Sequence, residues 1–190
     1  MLNDIAQVIM EEMKQRTAAK SPVLTAIDGR CAAGKTSLAA YLQKKCDCNV
    51  IHMDHFFLRP EQRTAERLRQ AGGNVDYERF LKEVLIPLYE GQTFSYRPYD
   101  CHRQELGEPV WIPSKILTIV EGSYSCHPAL KDYYDLSIFL NVDPEEQIRR
   151  IRLRNGAKGV LVFQERWIPM EEQYFHSLGI PESCDLCFQT

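Results

Sequence analysis

The sequence predicts an α/β fold: one doubly wound domain with five parallel strands and helices on both faces of the sheet. Three observations carry that expectation. Strand-like apolar runs recur near 23–28, 49–54, 115–121, 135–141 and 185–189, with helical stretches between them. The run at 115–121 is almost continuously apolar and does not alternate, as expected of a strand buried on both faces, and 135–142 reads as another buried strand. A glycine-bearing turn, Gly29 to Ser37, joins the first run to a stretch of good helix formers.

Size and composition set the frame. With 190 residues the chain is long enough for one domain with a real core, and a single domain over 1–190 is expected. Hydrophobic residues make up 44% and charged residues 26%, which suits a soluble globular protein. The net charge of −3 offers no electrostatic grip on nucleic acid or on an anionic membrane. No apolar run approaches the length of a bilayer span. The N-terminus lacks the basic and apolar regions of a secretory signal. Seven cysteines, an odd number, follow no disulfide framework, so a cytoplasmic location is expected. Cys46 and Cys48, and Cys184 and Cys187, have metal-ligand spacing. They are read as free thiols, because alternation along a terminal strand sends Cys184 and Cys187 to opposite faces.

Taken in order, residues 3–19 have Ile5, Val8, Ile9 and Met13 on one side at helical spacing, and Ser21-Pro22 ends that helix. After the first strand, Gly29, Gly34, Lys35 and Thr36 fit G-x-x-x-x-G-K-[ST], the phosphate-binding loop. Glycines let successive N–H groups turn inward on an anion, and the helix that follows adds its positive end. Arg30, Cys31, Ala32, Ala33 and Ser37 complete the cradle. Lys35 is expected to reach the β- and γ-phosphates of a nucleotide, and the Thr36 hydroxyl to ligate Mg²⁺.

The second strand, 49–54, ends in Asp54, at the sheet edge where α/β proteins bind ligands. There it is either a base for an attacking hydroxyl or a cap for the next segment. His55 reads as a loop residue. Residues 61–72 read as a solvated helix or loop, closed by Gly72-Gly73. A helix over 77–90 follows, with Phe80, Leu81, Val84, Leu85 and Leu88 on its apolar face and Asp76 as its cap or as a substrate contact.

Residues 92–113 read as a β-hairpin insertion. Tyr96, Tyr99, His102 and Arg103 suit it to stacking on a planar ligand, or simply to cross-strand pairing. Glu121 closes the third strand of the sheet, where a carboxylate is placed to hold Mg²⁺. Asp143-Pro144 opens a further helix that carries Arg150 and Arg154 at i, i+4 spacing. With Gly156 and Gly159 beyond, this helix end reads as a lid over about 154–168 whose arginines neutralise phosphate charge, or as a solvated basic face. Arg166 is within reach of the same phosphates. A helix from about Pro169 and a last strand complete the chain.

The ordered set Gly29–Ser37, Met53–Phe57, Asn74–Asp76, Pro98–Asp100, Glu121–Gly122 and the arginines of 149–154 resembles the uridine kinase family. That family lies in a wider P-loop kinase group with phosphoribulokinase and bacterial pantothenate kinase, and the likeness runs from about residue 22 to the end. It implies a P-loop NTPase fold, ATP and Mg²⁺ as cofactors, and transfer of the γ-phosphate to a nucleoside 5′-hydroxyl. By the resemblance, Asp54 is the base that activates the hydroxyl and Asp76 holds the ribose. Tyr99 and His102 meet the nucleobase, and Arg150 and Arg154 are lid arginines. The chain departs from the family pattern at His55, in a shorter and less basic 155–163 segment, and at Trp167–Glu171.

The expected partner is a small-molecule substrate, with neither nucleic acid nor membrane. Assembly into a homo-oligomer stays open. Two other readings stand beside the nucleoside kinase: a kinase for another small hydroxyl metabolite, such as a nucleotide or a pantothenate-like compound, and a regulator that binds ATP or GTP without turnover. No N-K-x-D segment for reading guanine is present.

Overall fold

The computed structural model describes residues 2–190. The chain runs α1 (Leu2–Ala19), β1 (Val23–Gly29), α2 (Lys35–Lys45) and β2 (Cys48–His52), then a single 3₁₀ turn over Met53–Phe56. After α3 (Ala65–Arg69), α4 (Tyr77–Phe80) continues through a π turn into α5 (Ile86–Tyr89). The inserted segment carries β3 (Phe94–Tyr96), β4 (Tyr99–Asp100), β5 (Glu105–Leu106) and β6 (Val110–Ile112). Then come β7 (Leu117–Glu121), β8 (Leu136–Asn141), α6 (Pro144–Val162), α7 (Ile168–Leu178), α8 (Ile180–Ser183) and β9 (Leu186–Gln189).

The five long-range strands form one parallel sheet in the order β2-β7-β1-β8-β9. β1 lies in the middle and is buried along its whole length. Its neighbouring residues face opposite ways. Val23 and Ile27 pack with Ile5, Ile9 and Met13 of α1 and Leu38 and Leu42 of α2. Leu24 and Ala26 pack with Phe80, Val84 and Leu85 on one side of the domain and with Tyr174 and Phe175 of α7. A strand with an apolar core on each face cannot show polar alternation, which is why this pattern reads as a run.

Registry sets up the site. Glu121 of β7 pairs with Ile27 on one side and with His52 on the other. The carboxyl ends of β1, β2 and β7 therefore finish level, and the loops that follow them meet at one edge of the sheet.

The structure departs from the sequence expectations in three places. The second strand stops at His52, so Asp54 sits in the 3₁₀ turn beyond it. The hairpin consists of two short antiparallel ladders, β3 with β6 and β4 with β5. The segment read as a lid over about 154–168 is helical on both sides of a kink at Gly156 (φ 69°), where the chain leaves helical geometry, and the second helical half runs through a π turn over Phe163–Trp167 into α7. Glycine there needs no penalty for positive φ, so the chain turns between the two helical halves of α6. Among the described residues, no helix is long and apolar enough to cross a membrane.

Candidate active site

The loop between β1 and α2 is held from behind. A side chain at Gly29 (φ 138°) would collide with the Leu140 carbonyl of β8, so only glycine lets the two strands lie this close. The ammonium of Lys35 arches back over the loop. It donates to the carbonyls of Gly29 at 2.6 Å and Arg30 at 2.9 Å, and to the Ser123 hydroxyl at 3.3 Å. Glu171 of α7 reaches the same loop: one carboxylate oxygen accepts the Cys31 N–H at 2.9 Å, and the other accepts the Ser123 hydroxyl at 2.6 Å. An anion of the protein's own thus rests on an N–H of this loop, and the loop fits a phosphate on the same ground.

At the edge of the loop the Thr36 hydroxyl lies 3.2 Å from each carboxylate oxygen of Glu121. His52, half-buried at the end of β2, sits 2.5 Å from one of those oxygens, and that contact raises its pKa above the usual histidine value. Among the described residues there is no group of three or more histidine, cysteine or acidic side chains able to hold a metal. Mg²⁺ does not require one. It takes one or two hard oxygen ligands from the protein and fills its octahedron with phosphate oxygens and water, and Thr36 with Glu121 is such a pair.

Asp54 sits in the 3₁₀ turn after β2, beside the end of β7, exposed and hydrogen-bonded to no described residue. Water reaches it, yet the enclosing walls strip much of its hydration. Desolvation, followed by the negative charge of Glu121, raises its carboxyl above the ordinary range. Gly122 (φ 138°) passes beneath, where a Cβ would stand 2.9 Å from that of Met53 and 3.4 Å from Asp54 Oδ1. A bare backbone at that point lets the turn holding Asp54 settle onto the end of β7.

A cavity of about 750 Å³ joins these pieces, within the range typical of small-molecule sites. Cys31, Ala32, Gly34, Lys35, Thr36 and Ser37 line one side. Arg150, Arg154, Phe163, Arg166, Trp167 and Glu171, from α6, α7 and the turn between them, line another. Asp54, Phe57, Arg63, Asn74, Cys101 and Tyr124 line it as well.

The three arginines differ in how they are held. Arg150 donates to the Ala32 carbonyl at 3.2 Å and to Glu146 at 2.7 Å, so it is tied to the loop. Arg154 lies over the Phe163 ring and Arg166 over the Trp167 ring, both otherwise exposed. Gly29, Arg30 and Ala33 shape the loop without lining the cavity, and Arg30 is paired with Glu172.

Three residues singled out from the sequence lie outside the cavity lining. The Asp76 carboxylate caps α4 by accepting the Arg79 N–H at 3.1 Å and takes a second bond from Gln62 at 2.6 Å. Tyr99 is buried, with its hydroxyl unpartnered, and His102 lies exposed on the hairpin. None of the three faces the space between Asp54 and the loop.

Other groups of the site were not anticipated. Asp28, fully buried in β1, accepts the N–H groups of Gly29 at 2.7 Å, Tyr124 at 3.2 Å and Cys126 at 2.9 Å, and the Tyr174 hydroxyl at 2.8 Å. It binds the loop after β7 to the phosphate loop and to α7. Burial raises its carboxyl pKa, opposed by those hydrogen bonds and by Lys35. The signal available in the sequence was an acid inside an otherwise apolar strand. For Glu171, Arg63 and Tyr124 no comparable signal exists, since polar residues in a loop or on a helix are ordinary, and Asn74 stood only within a stretch that carries the family resemblance.

No family model matches the chain. Solved structures do. A protein of Bacillus stearothermophilus described as a possible uridine kinase superposes with a TM-score of 0.68 at 17% identity, over 95% of this chain and 98% of that one. A proposed fructose transport system kinase from a Silicibacter species gives 0.69 at 21% identity, over 99% and 98%. A proposed P-loop kinase with a circular permutation from Saccharomyces cerevisiae gives 0.70 at 11% identity, over 100% and 99%. At these identities the likeness establishes the fold alone, an α/β domain built on a five-stranded parallel sheet.

Proposed function

We propose that this protein is an ATP-dependent kinase that transfers a phosphoryl group to the hydroxyl of a small molecule. One observation carries the reading: Asp54, a carboxylate hydrogen-bonded to no described residue, and a loop of the phosphate-binding pattern line one and the same cavity. A nucleotide-binding switch has no use for a free carboxylate facing the terminal phosphate, whereas a kinase needs a base there.

ATP enters with its phosphates on the loop, displacing Glu171 from the Cys31 N–H. Lys35 exchanges its carbonyl partners for phosphate oxygens. Thr36 and Glu121 hold Mg²⁺, which when bound offsets negative charge on the phosphates. Asp54 accepts the proton of the acceptor hydroxyl as that oxygen bonds to the γ-phosphorus. The bond from the bridging oxygen to that phosphorus breaks, and its electrons remain on the departing ADP. Arg150, Arg154 and Arg166 supply positive charge to the moving phosphoryl group, and with Trp167 they exclude water that would otherwise accept it.

A nucleoside 5′-hydroxyl is the acceptor that the uridine kinase resemblance implies. A nucleoside placed here would find Arg63, Asn74, Cys101 and Tyr124 around it, with Asp76, Tyr99 and His102 elsewhere. ADP release measured over a panel of nucleosides, nucleotides and small alcohols tests the reading. Stimulation by at least one acceptor is expected. Asp54→Asn should bind nucleotide as the parent does and lose about 100-fold or more in turnover, the contribution of a positioned base. Lys35→Ala serves as the control that loses nucleotide binding. Undiminished turnover in Asp54→Asn would remove Asp54 from its role, and ADP release independent of any acceptor would favour the regulator.

A further inference from the structure

We infer that the acceptor carries an anionic group, a carboxylate or a phosphate, held by Arg63 in the cavity that Asp54 and the phosphate loop also line. This rests on the kinase reading and narrows its substrate class.

Arg63 follows a 3₁₀ turn over Pro60–Gln62, and its Nε donates to the Leu58 carbonyl at 2.9 Å. That bond fixes the arm and leaves the outer edge of the guanidinium for the cavity it lines. Of the other arginines in this part of the chain, Arg59 pairs with Glu61, Arg67 with Glu78, Arg79 with Glu83 and Arg103 with Glu105, while Arg97 donates to the Gly107 and Leu106 carbonyls and neither it nor Arg69 lines the cavity. Among the described residues Arg63 has none within 4.0 Å. The Cys101 thiol lies between the influence of Arg63 and that of Asp54, and no ion pair within 4.0 Å joins Arg63 to Asp54.

The acceptor wall therefore presents a base at one place and an uncompensated cation at another. The rest of it is an aromatic ring, a thiol, and the Asn74 and Tyr124 side chains, which hydrogen-bond each other. A neutral acceptor filling this wall would strip water from the guanidinium and give nothing back, which costs free energy. An anion restores the pairing, and the planar fork of arginine matches carboxylate and phosphate alike. The γ-phosphate does not need this residue, because Lys35, Arg150, Arg154 and Arg166 already surround the loop side.

The test uses the full chain with MgATP and matched acceptors that differ in one charge. Nucleoside 3′-monophosphates are set against nucleosides, hydroxy acids against their amides, and sugar phosphates against sugars. At least one anionic member should exceed its neutral partner in kcat/KM by about tenfold or more, the worth of a charged hydrogen-bonded pair. The arm that responds identifies phosphate or carboxylate. Arg63→Ala should raise the KM for that acceptor by a similar factor and leave the KM for ATP within about twofold. Arg63→Lys, which keeps charge without the fork, should fall between the two. Equal use of neutral and anionic acceptors, with Arg63→Ala silent, overturns this inference and leaves the kinase reading standing. If no acceptor stimulates ADP release from the parent, both fall.

Discussion

Asp54, proposed as the base, would have to be ionised to act and is placed where ionisation is opposed. Desolvation and the charge of Glu121 both push its carboxyl up, and Lys35 with His52 pull it part of the way back. The sign for activity follows directly. The base works deprotonated, so activity is lost as pH falls through a value above the usual carboxylate pKa of about 3.9. The acid limb of kcat/KM, measured from about pH 4 to 8, should lie above that figure, since it reports the free enzyme. A limb at the ordinary carboxylate value would mean that Asp54 is solvated too well to be the group described. Asp28 shows the other use of a buried acid. It has four donors around it and no cation in contact, so its work is to hold loops rather than to move protons.

Among the elements, α7 determines how ready the loop is for nucleotide. It brings Glu171 onto the Cys31 N–H and the Ser123 hydroxyl, and Tyr174 onto Asp28, so one helix grips both loops of the site. The carboxylate sits on a donor that a phosphate would use, and both are anions. Glu171→Gln keeps the shape and removes the charge. The variant should bind ATP several-fold more tightly, on the order of a 1 kcal/mol change, because like charges no longer compete for the loop. Calorimetric titration with MgATP would measure it. Weaker binding in Glu171→Gln would mean instead that the carboxylate helps the nucleotide once it is in place. The helical path from α6 to α7 matters here too, since a loose loop could not set Glu171 at this position.

For the molecule as a whole, the site is a seam between parts of the sheet that are distant in sequence. β1 carries the phosphate loop, β2 leads to Asp54 and β7 ends in Glu121, and their level carboxyl ends make one crevice. A ligand bridging these parts should stabilise them together. MgATP at about 100 times its Kd should add about 2.7 kcal/mol to the folded state and raise Tm by several degrees. Lys35→Ala should lose that shift while keeping a cooperative transition. An unshifted Tm in the parent protein would count against nucleotide binding at this loop.

Much of this was legible along the chain. The α/β class, the order of strands and helices, the glycine-bearing turn after the first strand and the acid at the end of the third sheet strand follow from periodicity, glycine spacing and strand ends, whereas the second strand stops at His52, short of Asp54. Those are local signals, because they arise from backbone dihedrals and from which residues share a face within a few positions. What a side chain meets across the domain is not local. Asp28 meets Tyr174 and Cys31 meets Glu171 only because the sheet order brings β1, β7 and α7 together. Asp76 spends its carboxylate on a helix cap, and Tyr99 turns into the core, because packing chooses between two faces that sequence leaves equal. Arg63 has the composition of any surface arginine. Tertiary structure alone decided that it lines the cavity with no acid beside it.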